Sequence, residues 1–160
     1  MTLAYVGLGA NLGEPLRQLT EAIIAMSGLP ETCLAAHSSF YRTAPVGFED
    51  QPEFLNAVAA LDTRLAPGAL LESLQGIERR HRRERSFKDA PRTLDLDLLL
   101  YGERVVDSPG LTLPHPRMHE RAFVLAPLTE IAPDIAIPGH GAARDLLARC
   151  RGQKISLLRG

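Results

Sequence analysis

Two aspartates alternate with leucines in the stretch Ala90-Pro91-Arg92-Thr93-Leu94-Asp95-Leu96-Asp97-Leu98-Leu99-Leu100-Tyr101. Side chains on a strand alternate between faces, so Leu94, Leu96, Leu98 and Leu100 point one way. Thr93, Asp95, Asp97 and Leu99 point the other. At a rise of about 3.3 Å per residue, the two carboxylates stand about 6.6 Å apart on one face. The flanking leucines predict a central, largely buried strand. Paired carboxylates in such a place repel each other and resist desolvation, so a cation must lie between them. Arg92 could serve. A hard divalent ion serves better, because Mg²⁺ takes oxygen ligands, commonly one or two carboxylates plus phosphate oxygens. A structural, paired aspartate is the plainer explanation for a single Asp. It fits two of them beside Pro91-Arg92 less well.

The neighbouring charges suit the same chemistry. Arg79-Arg80-His81-Arg82-Arg83-Glu84-Arg85 precedes the aspartate strand, with Ser86-Phe87-Lys88-Asp89 between. Cations favour a helix C-terminus, and a charge run is usually a solvated face. This run, however, leads straight into Arg92 and the aspartates. A polyphosphate held by Mg²⁺ on two carboxylates needs guanidinium forks on its far side, the arrangement phosphoryl transfer uses. Downstream, His115 sits between Pro114 and Pro116, close to Arg117 and Arg121, which suits an anion contact. Asn56 interrupts the apolar run of residues 54–61. It reads equally as a satisfied core amide and as a reader of a ligand edge.

The elements that must carry these residues follow from periodicity. Residues 3–9 read as a buried strand. Pro15 opens a helix with Leu16, Leu19, Ile23, Ile24 and Met26 at helical spacing, ending near Ser27-Gly28. Residues 32–42 read as a second strand and 54–61 as a third. The Pro- and Gly-rich stretch 43–52 between them is a functional loop. A helix starts at Pro67, with Leu70, Leu71, Leu74 and Ile77 as its stripe. After the aspartate strand come a short strand at Val105-Val106, a helix over 122–131, a short strand over 135–137 and a helix over 144–150. The tail to Gly160 is basic and carries no signal. The order β-α-β-β-α-β predicts an α+β, ferredoxin-like antiparallel sheet with helices on one face and a short C-terminal α/β extension. The first strand and the aspartate strand would lie in or near the centre, with the opposite sheet face free for a ligand.

Length and composition bound the rest. The chain has 160 residues, a formal net charge of −1 and two cysteines. One domain with a proper core is expected over 1–160. The near-neutral charge gives no field toward nucleic acid or membrane. Cys33 and Cys150 form no disulfide framework or zinc motif, which fits a reducing, cytoplasmic setting. The N-terminus lacks the basic lead and cleavage site of a signal peptide, and no apolar run reaches membrane-spanning length. Gly7-x-Gly9-x-x-x-Gly13 has one residue too many for a dinucleotide fingerprint, so these glycines are expected to serve a turn and close backbone packing.

The segment 90–99 resembles the signature of the 6-hydroxymethyl-7,8-dihydropterin pyrophosphokinase family. The likeness extends through Gly9-Ala10-Asn11-Leu12, Ser38-Ser39-Phe40-Tyr41-Arg42-Thr43, Gln51-Pro52-x-Phe54-Leu55-Asn56, Leu111-Thr112-x-Pro114-His115 and Arg121-x-Phe123. The resemblance implies transfer of diphosphate from ATP to the hydroxymethyl group of the dihydropterin in folate biosynthesis, releasing AMP. It implies Asp95 and Asp97 as ligands of two Mg²⁺ ions. Arg83, Arg85 and Arg92 would neutralise the phosphates, the first two from a closing loop. Gln75, Glu78, Leu98, Thr112, His115 and Arg121 would line the nucleotide site. Thr43, Pro45, Val46, Phe54, Asn56 and Phe123, with Asp95, would make the pterin pocket. The loop departs from the family pattern: Arg82 stands where members often carry Gly, and Asp89-Ala90 where many carry Trp-Gly. A monomer with two small-molecule substrates is expected, binding neither nucleic acid nor membrane. The competing reading is a non-enzymatic ferredoxin-like module for RNA or a small-molecule regulator.

Overall fold

The computed structural model describes residues 1–11, 13–43, 53–84 and 94–158. The chain begins with β1 (Thr2–Ala10) and helix α1 (Pro15–Ser27). Then come β2 (Thr32–His37), β3 (Tyr41–Thr43) and β4 (Phe54–Thr63), helix α2 (Pro67–Glu84) and β5 (Leu94–Tyr101). A hairpin of β6 (Val106–Ser108) and β7 (Leu111–Leu113) leads to a 3-10 turn (Met118–Glu120) and helix α3 (Ala122–Ile131). A hairpin of β8 (Ala136–Ile137) and β9 (Gly141–Ala142), helix α4 (Ala143–Ala148) and β10 (Ile155–Leu157) complete it.

The main sheet runs β10-β3-β4-β1-β5, with β2 also paired to β4, and every pairing in it is antiparallel. This is the βαββαβ plan with its second strand divided. Residues 32–42 were expected as one strand. Instead β2 follows the C-terminal half of β4, from Thr32 opposite Thr63, and β3 follows the N-terminal half, with Tyr41 opposite Asn56. Ser38 makes the break tolerable. Its N–H donates to the Val58 carbonyl at 2.8 Å, and its Oγ accepts from the Val58 N–H at 2.9 Å. A side chain thus replaces one rung of the ladder, and no buried backbone group is stranded there.

The aspartate strand is not central. β5 is an edge strand, paired only to β1. Its leucines are buried because α2 and the segment from β7 to His115 cover the edge rather than because strands flank it on both sides. The Leu96 N–H on that edge donates to Glu78 Oε2 at 2.9 Å, and the Leu99 carbonyl accepts from the His115 N–H at 2.9 Å. Alternation also fails at one point. The β1–β5 register skips Leu99 between the Tyr5–Leu100 and Val6–Leu98 pairs. Such a bulge puts consecutive residues on one side. Leu94, Leu96 and Leu98 therefore pack beneath α1 and α2, as expected, whereas Leu99 and Leu100 both join the core on the opposite face.

That opposite face is only partly free. α3, α4 and the 3-10 turn close about half of it over Tyr5, Val58, Ala60, Leu99 and Leu100. The open remainder lies at the end of the sheet where β4 begins. The tail, whose sequence carries no signal, forms β10 against β3, with Ile155 opposite Thr43.

Glu130, near the end of α3, fastens the β2–β3 break to this cover. Its carboxylate accepts from the Tyr41 hydroxyl at 2.6 Å and from the Ser39 N–H and hydroxyl, both at 2.9 Å. Burial pushes the Glu130 carboxyl up, but the bonds from Tyr41 and Ser39 outweigh it and hold the group below its ordinary value. A depressed carboxyl contributes stability above its unfolded value and loses it as pH falls through the folded one. For so exposed a site, Glu130→Gln should cost about 1 kcal/mol at pH 7. Denaturant melts of both proteins should converge as pH falls through the depressed folded-state value. A pH-independent difference would show that charge plays no part.

Candidate active site

Register places the site. On β1, Gly9 lies between Asn56 of β4 and Asp95 of β5, and Gly7 lies between Val58 and Asp97. Directly opposed residues share a face. The two glycines therefore form a floor without side chains between an amide on one flank and two carboxylates on the other. Above it opens a cavity of about 650 Å³ whose walls include Thr43, Phe54, Asn56, Asp95, Asp97, Arg117, Arg121, Phe123 and Gln153. The glycines do serve close packing: a Cβ on Gly9 would lie 3.0 Å from Asn56 Nδ2. They also create the hollow, a function their local sequence did not disclose.

Asn56 is a satisfied core amide, the first of its two readings, and it also borders the cavity. It is 7% exposed, and its Oδ1 accepts from the Thr43 hydroxyl at 2.8 Å. With its acceptor occupied by Thr43, the amide offers N–H donors to a ligand edge. Phe54 opens β4, and Phe123 sits in the first turn of α3, each half-buried on the cavity wall. The Arg121 guanidinium lies 5.4 Å from the Phe123 ring centroid, a cation–π distance.

Among the described residues the Asp95 charge is only partly compensated. Desolvation and then the Asp97 charge push the Asp95 carboxyl above its ordinary value, and Arg82 only partly offsets them. Among the described residues no hydrogen bond or ion pair holds either side chain. Glu78 adds a third acid nearby. Burial pushes its carboxyl up, the Leu96 N–H pulls it down, and Asp95 and Asp97 push it up again. Arg82, one turn along α2, is the described guanidinium whose charge reaches both Glu78 and Asp95.

His115 follows β7. Burial lowers its pKa; Asp97 raises it, and Arg121 and Arg117 lower it further. Its Nδ1 accepts from the Arg117 N–H at 3.1 Å, which leaves the proton on Nε2. His115 and Glu78 both clip to the outer edge of β5 rather than lining the cavity. Gln75 is exposed on α2, one turn before Glu78. Thr112 is exposed on β7, opposite Asp107. Leu98 is 5% exposed in the α1–α2 core, so its side chain cannot line a nucleotide site and only its backbone could. Arg83 lies in the last turn of α2, but its side chain, together with Pro45, Val46, Arg85 and Arg92, lies outside the described residues.

Arg117, Glu120 and Gln153 also line the cavity. In the sequence Arg117 stands out only as a neighbour of His115. Gln153 gave no signal, because its partners lie thirty residues away in sequence: it accepts from the Ala122 N–H and donates to the Glu120 carbonyl, both at 2.8 Å.

A model of the family described as 7,8-dihydro-6-hydroxymethylpterin-pyrophosphokinase (HPPK) matches residues 5–133. The chain belongs to the HPPK family. Named 2-amino-4-hydroxy-6-hydroxymethyldihydropteridine pyrophosphokinases are similar over nearly its whole length. That of Pseudomonas aeruginosa is 50% identical over 98% of this chain and 96% of its own, and that of Haemophilus influenzae 44% identical over 97% of each. A folic acid synthesis protein of Schizosaccharomyces pombe is 35% identical across 97% of this chain, which spans only 21% of that longer protein. A solved Plasmodium falciparum HPPK-DHPS chain shares the fold, with a TM-score of 0.74 at 12% identity over 92% of this chain. This chain spans 44% of that one. Gln153 lies beyond the residues matched by the HPPK model.

The floor is testable through Gly9. A methyl there must displace the Asn56 amide and strain its bond to Thr43. If this cavity takes the pterin that the family name carries, Gly9→Ala should weaken its binding by about tenfold, the scale of one lost hydrogen bond with some steric strain, while melting within a few degrees of the parent. Calorimetric titration with the pterin measures this, and unchanged affinity would remove Asn56 from the site.

Proposed function

We propose that the chain transfers diphosphate from ATP to the hydroxymethyl group of 6-hydroxymethyl-7,8-dihydropterin, releasing AMP, as a step in folate synthesis. The observation that carries this reading is the juxtaposition of two carboxylates, neither held by a hydrogen bond or ion pair among the described residues, with a cavity walled by two phenylalanines and an asparagine with its acceptor already bonded. A flat bicyclic ring would lie against Phe54 and Phe123, with Asn56 and Thr43 at its polar edge; Pro45 and Val46 are assigned to the same pocket. Its hydroxymethyl group would then reach toward Asp95.

The carboxylates fit Mg²⁺. Burial and then the Asp97 charge hold Asp95 above its ordinary value with no described ion pair to relieve it, so a cation would be drawn to the pair. Among the described residues no three His, Cys, Asp or Glu side chains gather as a cage. The remaining ligands would be phosphate oxygens and water, the set Mg²⁺ prefers. Two Mg²⁺ ions bound there would supply charge neutralisation and alignment of the triphosphate.

The chain's own groups bind and orient. Arg121 and Arg117 face the phosphates from the cavity wall. His115 donates from Nε2 without carrying charge, and Gln75, Glu78 and Thr112 flank the nucleotide along the outer edge of β5. Arg83, Arg85 and Arg92 complete the phosphate contacts. The hydroxymethyl oxygen attacks the β-phosphorus, the bond from that phosphorus to the α–β bridging oxygen breaks, and AMP departs. The hydroxyl proton leaves to solvent; no side chain is assigned as base. The active unit in this reading is a single cytoplasmic domain, monomeric.

An RNA-binding sheet would present exposed aromatics on its strands. Here the open face presents acids, which repel phosphate unless a metal intervenes. No helix among the described residues is long and apolar enough to cross a membrane.

With ATP, Mg²⁺ and the hydroxymethyl dihydropterin, nucleotide analysis should show AMP and no ADP. Asp97→Asn should cut that rate by at least about a hundredfold, since several kcal/mol of charge stabilisation depend on it. Its melting temperature should stay level or rise, because a repulsion is relieved. ADP as product would overturn the reaction, and full activity in the variant would overturn the role of Asp97.

A further inference from the structure

The C-terminal segment 153–158 touches both sides of the cavity. At one end Gln153 brackets Arg121, donating from Nε2 to the Glu120 carbonyl and accepting at Oε1 from the Ala122 N–H, both at 2.8 Å. Ala122 opens α3, so its N–H is one of the helix donors that lack an intrahelical partner. Gln153 supplies that partner and locks the corner between the 3-10 turn and α3. Phe123 projects from this corner. Two residues later the segment pairs with the opposite wall: Ile155 is opposite Thr43, and the Leu158 N–H donates to the Phe40 carbonyl at 2.8 Å. Thr43 in turn holds Asn56. Six residues of tail therefore join the aromatic wall to the amide wall, and Gln153 itself faces the cavity between them.

We infer that Gln153 is a positioning residue for the pterin, fixing the plane of Phe123 relative to the Thr43–Asn56 edge. This rests on the proposed diphosphate transfer. The two side chains carried by the corner should respond differently to its loosening. A phenylalanine ring has two side-chain torsions and takes its plane from the backbone. Arg121 reaches its target on a long, flexible stem and tolerates a backbone shift. Freeing the corner therefore acts on the pterin rather than on the nucleotide.

Steady-state kinetics with each substrate varied in turn test this on the full chain. Gln153→Ala should raise the pterin KM about tenfold, the scale of two partly exposed hydrogen bonds, with kcat and the ATP KM each within about twofold of the parent. Gln153→Glu keeps the acceptor for Ala122 but sets an oxygen against the Glu120 carbonyl. It should raise the pterin KM at least as much, and it decides the matter by the same split if the alanine variant melts below assay temperature. An unchanged pterin KM, or a parallel rise in both KM values, would overturn the inference while leaving diphosphate transfer intact. Absence of AMP release by the unsubstituted protein would overturn the transfer reading and this inference with it.

Discussion

Two like charges held side by side on a leucine-anchored strand set the terms for this structure. At a spacing of about 6.6 Å the repulsion between Asp95 and Asp97 amounts to about 0.6 kcal/mol at the dielectric of water and about 2.5 kcal/mol at an effective value of 20. Burial of each of Leu94, Leu96 and Leu98 beneath α1 and α2 contributes about 2 kcal/mol. The apolar side of β5 thus outweighs the acidic side, and the strand can present both carboxylates to the cavity without a described partner. Exposure on an edge strand also lowers the cost that a central, doubly flanked position would have imposed. The pair is tolerated in the folded chain and, on the proposed function, draws a cation.

The remaining architecture serves that pair. Gly7 and Gly9 keep the middle of the sheet low, so that the acids and Asn56 face across an open floor. Glu78 and the His115 backbone satisfy the free edge of β5, which also blunts it against pairing with another chain. The C-terminal elements close half of the face and stop where Phe123 and Arg121 meet the cavity. Glu130 and Gln153 then tie this cover to the strands bearing Thr43 and Asn56, one at each end of α3. On the proposed function, the two substrates would approach from different sides of the acidic pair: the pterin over the glycine floor, the nucleotide along the edge of β5.

Much of this was legible in the sequence because it is local. Pro15 and Pro67 mark helix starts, the leucine stripe of α2 fixes its face, and the alternation in β5 separates acids from core. The site residues Asp95, Asp97, Asn56, Thr43, Phe54, Phe123 and Arg121 do converge on one cavity. What was not legible depends on partners distant in the chain. No pattern in residues 32–42 announces that Ser38 will stand in for a backbone rung of Val58. The bulge at Leu99 arises from the fit of β5 to β1, and it moves Leu100 to the other core. An unbroken run of leucines looks the same on a covered edge as in a sheet centre, so β5 was misplaced. Leu98 was named for the nucleotide although its side chain belongs to the core. Gln153 acts only through Glu120 and Ala122.

The central claim is that the acidic pair becomes a nucleotide site only when a divalent cation joins it. Calorimetric titration with a non-hydrolysable ATP analogue, carried out with Mg²⁺ and again with the metal chelated, measures that dependence directly. The account predicts binding with Mg²⁺ and a loss of at least about a hundredfold in affinity without it. Equal affinity in the two titrations would contradict it.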